Sequence, residues 1–115
     1  MELWIWVLLS CAAAYALKVS GFDLEQLERE GQSPEKVMKE FKRWVEIEAG
    51  GSKAVFVGFN GCYDWQFVNW YFESFASGNP FGFGGIDIKS YFMGLSGEPW
   101  AKTTSSQLPA EFQPD

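Results

Sequence analysis

Six consecutive residues without a polar side chain, Ala54-Val55-Phe56-Val57-Gly58-Phe59, lie between two segments of helical pattern, and they restrict the fold more than any other feature. The run is too short for a helix and is rich in β-branched and aromatic residues, so it reads as a strand buried on both faces, the kind found in α/β sheets. Before it, Asp23 stands as an N-cap with Gln26 as its capping-box partner, and Gly31 stops that short helix. Ser33-Pro34 starts another helix, in which Val37, Met38, Phe41, Trp44 and Val45 share one face and a mixed-sign charged face is left to solvent. After the Asn60-Gly61 turn, residues 64–75 predict a largely buried third helix, apolar nearly all round. Gly78-Asn79-Pro80 ends it, a glycine-rich loop follows, and Ile86-Asp87-Ile88 reads as a second short strand. Helix, strand, helix, strand is the order of an α/β layer. Beyond Gly97 the chain turns polar, with no sign of a closing helix or strand.

Eleven Phe and six Trp in 115 residues exclude a disordered chain and predict one small packed domain. A formal charge of −6 argues against a general basic surface for gripping phosphates. The sequence has no histidine, which removes Ser-His-Asp and Cys-His catalysis and any histidine metal ligand or base. Cys11 and Cys62 lack the spacing of a zinc site and are read as free thiols. The apolar stretch 3–17 is shorter than the roughly 20 residues of a membrane span, so no span is expected. Ala14-Tyr15-Ala16 and Leu8-Leu9-Ser10-Cys11 give it the look of a secretory leader, whereas Met1-Glu2 lacks the positive charge a leader carries. The expectation is a cytoplasmic protein, with secretion as the alternative.

The residues with most chemical content are Phe59-Asn60-Gly61-Cys62-Tyr63-Asp64-Trp65, where a strand ends and a carboxylate is delivered at the start of an apolar helix. Asp64 suits either of two roles, a cap or first-turn acid favoured by the helix dipole, or a ligand for a hard cation at the carboxyl end of a strand. Residues 55–68 of this sequence resemble the second exonuclease motif of the DnaQ and RNase T family of DEDD-type 3′→5′ exonucleases: a hydrophobic strand, His-Asn or Phe-Asn, two or three variable residues, Phe-Asp, and a helix carrying another Phe, with Tyr63 standing where the family usually has Phe. The similarity extends upstream through Val19-Ser20-Gly21-Phe22-Asp23-Leu24 and downstream through Asp87-Ile88-Lys89-Ser90-Tyr91-Phe92-Met93-Gly94-Leu95, covering roughly 19–97.

That resemblance implies a partial RNase H-like α/β fold, an incomplete sheet flanked by helices, over residues 19–97. Residues 1–18 are then an apolar leader-like or divergent segment, and residues 98–115 a polar tail. It implies Asp64 as catalytic metal ligand for Mg²⁺ or Mn²⁺, with Asn60, Tyr63 and Trp65 bordering a single-stranded nucleic-acid 3′ end. The family's first motif, Asp-x-Glu, and its third, a His or Tyr base followed by Asp, have no counterpart here. Tyr91 is followed by Phe92-Met93-Gly94-Leu95 and not by the required acid. The chain alone is therefore expected to have little or no nuclease activity. Two other readings stand beside this one: a noncatalytic remnant or interaction module on the same scaffold, prone to self-association, and a small secreted binding protein. Mass spectrometry of the expressed chain is expected to find residues up to Ala16 retained; a mass lacking them would instead establish the leader.

Overall fold

A computed structural model describes residues 18–21 and 23–112. Cys11, the apolar stretch 3–17 and its leader-like motifs lie outside the described residues. The chain divides into two compact units, one ending at Ser33 and the other beginning at Pro34. In the first, helix α1 (Leu24–Glu30) is capped as its sequence predicts, with Asp23 Oδ1 accepting the Glu25 N–H at 3.0 Å. Gln26, the expected second half of the capping box, instead donates forward to Glu30 at 2.9 Å.

The second unit runs α2 (Pro34–Ala49), β1 (Phe56–Gly58), α3 (Gly61–Phe75), β2 (Gly85–Asp87) and α4 (Ile88–Ser96). Three short 3₁₀ turns follow, at Trp100–Lys102, Ser105–Gln107 and Ala110–Phe112. β1 and β2 pair in parallel, Phe56 opposite Gly85, Val57 opposite Ile86 and Gly58 opposite Asp87, with α3 as the crossover. The result is an α/β arrangement built on a single βαβ unit. Gly85 is required by the pairing. A Cβ there would stand 2.6 Å from the Phe56 carbonyl oxygen and 2.9 Å from a carbon of its ring.

Packing is concentrated between α2 and α3. Phe72 is fully buried, with Met38 and Ala76 beside it and Phe41, Val68, Phe75 and Phe81 closing around them. The Phe72 ring lies 5.2 Å from Phe41 and 6.0 Å from Phe81, both within the range of favourable aromatic pairs. Lys42 reaches from α2 to the end of α3, where its ammonium donates to the carbonyls of Ala76 at 3.1 Å and Ser77 at 3.2 Å. These are carbonyls that a helix terminus leaves without partners.

Two expectations about burial are corrected. The strand read as buried on both faces is covered on one only: Phe56 packs against Trp65 of α3 at 5.4 Å, while Val57, on the opposite face, is 53% exposed beside an equally open Ile86. No second layer covers that face among the described residues. The third helix begins at Gly61, three residues earlier than its pattern implied, and is not largely buried. Tyr63, Phe67 and Trp70 are exposed, because α2 and the strand pair cover only one stripe of α3. The polar segment after Gly97 contributes to the fold as well. Thr103 is fully buried with its hydroxyl donating to the Trp100 carbonyl at 2.8 Å, Leu108 is buried, and the Lys89 ammonium lies 4.1 Å over the Trp100 ring. No helix among the described residues is long and apolar enough to cross a membrane.

Replacing Phe72 with Ala is expected to destabilise the chain by about 3–5 kcal/mol, as for other fully buried aromatic truncations. Phe83→Ala, at a fully exposed ring, is expected to change stability by no more than about 0.5 kcal/mol. Urea unfolding followed by tryptophan fluorescence measures both.

Candidate functional site at the carboxyl edge of the strand pair

Parallel strands end on the same edge, and here that edge holds two aspartates in different surroundings. β1 ends at Gly58, and Asn60 takes a left-handed conformation (φ 54°, ψ 38°) that turns the chain directly into α3. Asparagine tolerates that geometry better than most residues. Asn60 is the N-cap residue by position, but its side chain makes no capping bond. Asp64 therefore sits in the first turn of α3 and is not its cap; the helix dipole favours an acid there. Its side chain is exposed, and its carboxylate makes no hydrogen bond or ion pair among the described residues.

Asp87, the last residue of β2, is fully engaged. Its Oδ1 accepts the Gly61 N–H at 3.0 Å and the Lys89 N–H at 3.3 Å. Its Oδ2 accepts the Ser90 N–H at 3.2 Å and a short bond from the Ser90 hydroxyl. One carboxylate thus caps α4 and at the same time binds the first N–H of α3. Partial burial pushes its acidity the other way, but the bonds from the Ser90 hydroxyl and from the Gly61, Ser90 and Lys89 amides outweigh it. They hold the carboxyl below the ordinary aspartate value of 3.8.

The other residues singled out in the sequence are grouped on this edge by α3. Tyr63 is exposed, its ring edge-on to Phe67 at 5.3 Å. Trp65 is half-buried on Phe56, and Asn60 is exposed at the turn. Cys62, in the same turn, is a free and exposed thiol. Asp64, Asn60, Tyr63 and Trp65 are thereby brought within one helical turn and its cap, although Trp65 is committed in part to packing.

This chain resembles a DNA exonuclease. It is 39% identical over 101 residues, 87% of its length, to the 3′-5′ DNA exonuclease Cap18 of Escherichia coli. The match spans 54% of that protein, so the chain covers about half the length of the relative. No protein-family model matches the chain.

A divalent cation in such a site needs oxygen ligands, and Mg²⁺ retains most of its waters unless several carboxylates converge. The free carboxylate of Asp64 suits one such ligand. No group of three or more Asp, Glu, Cys or His side chains fit to hold a metal forms among the described residues, so by themselves they assemble no two-metal centre.

Sequence reasoning missed Asp87, which it placed inside a strand. The usable signal was Ser90 three residues later, the spacing at which a capping acid meets the N3 residue of a helix. It also missed an apolar groove of about 930 Å³ beside the same edge, lined by Phe59, Ile88, Tyr91, Phe92, Leu95 and Leu108. Ile88, Tyr91, Phe92 and Leu95 follow the i, i+3, i+4, i+7 spacing of one face of α4, a signal the sequence carries, while Phe59 and Leu108 reach the groove from elsewhere in the chain.

Because the Asp87 carboxyl is more acidic in the folded chain than in the unfolded one, its contribution to stability is full above the unfolded value. That contribution is lost as pH falls through the folded value. Thermal midpoints measured from about pH 5 down to pH 2 are expected to fall less steeply for Asp87→Asn than for the parent chain. Parallel curves would remove the carboxylate's role.

Proposed function

We propose that this chain carries part of a 3′→5′ exonuclease domain of the DnaQ and RNase T type, on an RNase H-like scaffold, acting at a single-stranded DNA 3′ end. Asp64 is its ligand for Mg²⁺ or Mn²⁺. Asn60 and Tyr63 border the strand being held, and Trp65 divides its ring between that border and its packing on Phe56. The observation that carries the reading is an exposed, unbonded carboxylate at the carboxyl edge of a parallel strand pair, in a chain similar over 87% of its length to a DNA exonuclease. Ligands of open α/β sheets bind at that edge.

In this reading a bound pair of cations supplies an activated water and stabilises the departing 3′ oxygen. What the chain's own residues do is narrower. Asp64 offers one negative oxygen site at the edge, and the exposed Tyr63 ring offers a face on which an unpaired base stacks. One carboxylate does not hold two cations, so the chain by itself binds divalent ions weakly and cleaves DNA slowly or not at all.

Titration with Mn²⁺, followed by paramagnetic broadening of amide resonances, is expected to affect residues 60–65 first, and Asp64→Ala is expected to abolish that response. Incubation with 3′-labelled single-stranded DNA and Mg²⁺ is expected to release label no faster than buffer. An unchanged Mn²⁺ response in Asp64→Ala removes the ligand assignment, and rapid release of label overturns the claim that the chain alone is inactive.

A noncatalytic interaction module is the second reading, favoured by the open sheet face at Val55, Val57 and Ile86 together with the apolar groove beside α4. Under that reading the chain self-associates in sedimentation experiments, and Mn²⁺ has no preferred site on it.

A further inference from the structure

We infer that Asp87 is the positioning residue of the Asp64 site, locking the first turn of α3 to the end of β2 so that the Asp64 carboxylate is presented at the edge. The inference rests on the exonuclease reading above and extends it to a residue that touches neither metal nor substrate.

The two aspartates are separated by their bonding. A carboxylate has about four acceptor positions, and at Asp87 four donors occupy them: the Gly61, Lys89 and Ser90 amides and the Ser90 hydroxyl. Nothing remains to offer a cation. Asp64 is the reverse case, exposed and without a bond among the described residues. The Gly61 amide held by Asp87 belongs to the first residue of α3, and Asp64 lies three residues further on, in the same turn. Asn60 makes no side-chain cap, so the bond from Asp87 replaces the local cap that this helix lacks. Gly61 is buried and close to β2, where a Cβ would stand 3.7 Å from the Ile86 carbonyl oxygen and 3.9 Å from the Asp87 Cα. The turn is therefore held against β2 by a charge-assisted bond and by close backbone approach. Releasing the bond frees the segment that carries Asn60, Tyr63 and Asp64, while the Phe72 core at the far end of α3 stays packed.

The test uses the full chain in four forms: parent, Asp64→Ala, Asp87→Ala and Asp87→Asn. Two quantities are read by NMR, the Gly61 amide proton shift and the Mn²⁺ concentration that half-broadens the resonances of residues 60–65. Asp87→Ala is expected to move the Gly61 proton upfield and to raise the half-broadening concentration by about tenfold, the usual scale for losing a group that orients a metal ligand. Asp87→Asn, which keeps an acceptor oxygen without the charge, is expected to restore most of the response. Should Asp87→Ala prevent folding, Asp87→Asn and Ser90→Ala carry the comparison, with smaller shifts of the same sign. Equal losses in Asp87→Ala and Asp87→Asn overturn positioning in favour of a direct effect of charge. An unmoved Gly61 proton or an unchanged Mn²⁺ response in Asp87→Ala, with the parent responding and Asp64→Ala silent, overturns the inference alone. A parent chain whose broadening does not depend on Asp64 overturns the exonuclease reading and this inference together.

Discussion

Two strands of three residues each make a sheet that would not persist by itself, and the unit from Pro34 onward depends on how closely they approach. Gly85 permits that approach, since the ring and carbonyl of Phe56 occupy the space a side chain would need. Phe56 then presents its ring to Trp65 at 5.4 Å and to Phe81 at 5.8 Å, joining the strand pair to the crossover helix and to the loop after it. From this contact the aromatic packing continues through Phe81 to Phe72 and Phe41, and so to α2. The core is thus a line of rings running outward from one glycine, and the abundance of Phe and Trp in the sequence has its physical use there.

At the carboxyl edge, two residues of the same type are given opposite duties by their surroundings. Asp87 has backbone donors on both sides because a strand ends and a helix begins at it with no residue between. Asp64 lies exposed in the first turn of α3 and accepts no such bond among the described residues. One acid is saturated and structural, the other open and available. That contrast, together with the similarity to a DNA exonuclease, gives the edge its proposed chemistry.

Much of the order of elements was legible because it is written locally. The Ser33-Pro34 start, the apolar run before Asn60, and the Gly78-Asn79-Pro80 stop each act within a few residues, and α2, β1, α3 and β2 appear where those signals put them. Strand ends and helix starts were less legible. Asn60-Gly61 has the look of a free turn but is the cap and first residue of α3, and Ile86-Asp87-Ile88 has the look of one strand although α4 begins at Ile88. Burial was the least legible, since Val57 and Trp70 are apolar whether or not another layer lies over them. Asp64 stands out in the sequence because the strand-turn-acid order is local. Asp87 escaped because its decisive partner, Gly61, is 26 residues away.

Helix α3 is fastened at both ends by ions of opposite sign. The Asp87 carboxylate binds the amide of its first residue, and the Lys42 ammonium binds the Ala76 and Ser77 carbonyls just past its last. Each ion matches the sign that the helix dipole favours at that end. The amino-end fastening depends on a charge that acid removes, because the Asp87 carboxyl takes up a proton as pH falls through its folded value. Protonating Asp87 therefore weakens the hold on the first residue of α3, whereas the packing around Phe72 near the other end does not rest on that charge.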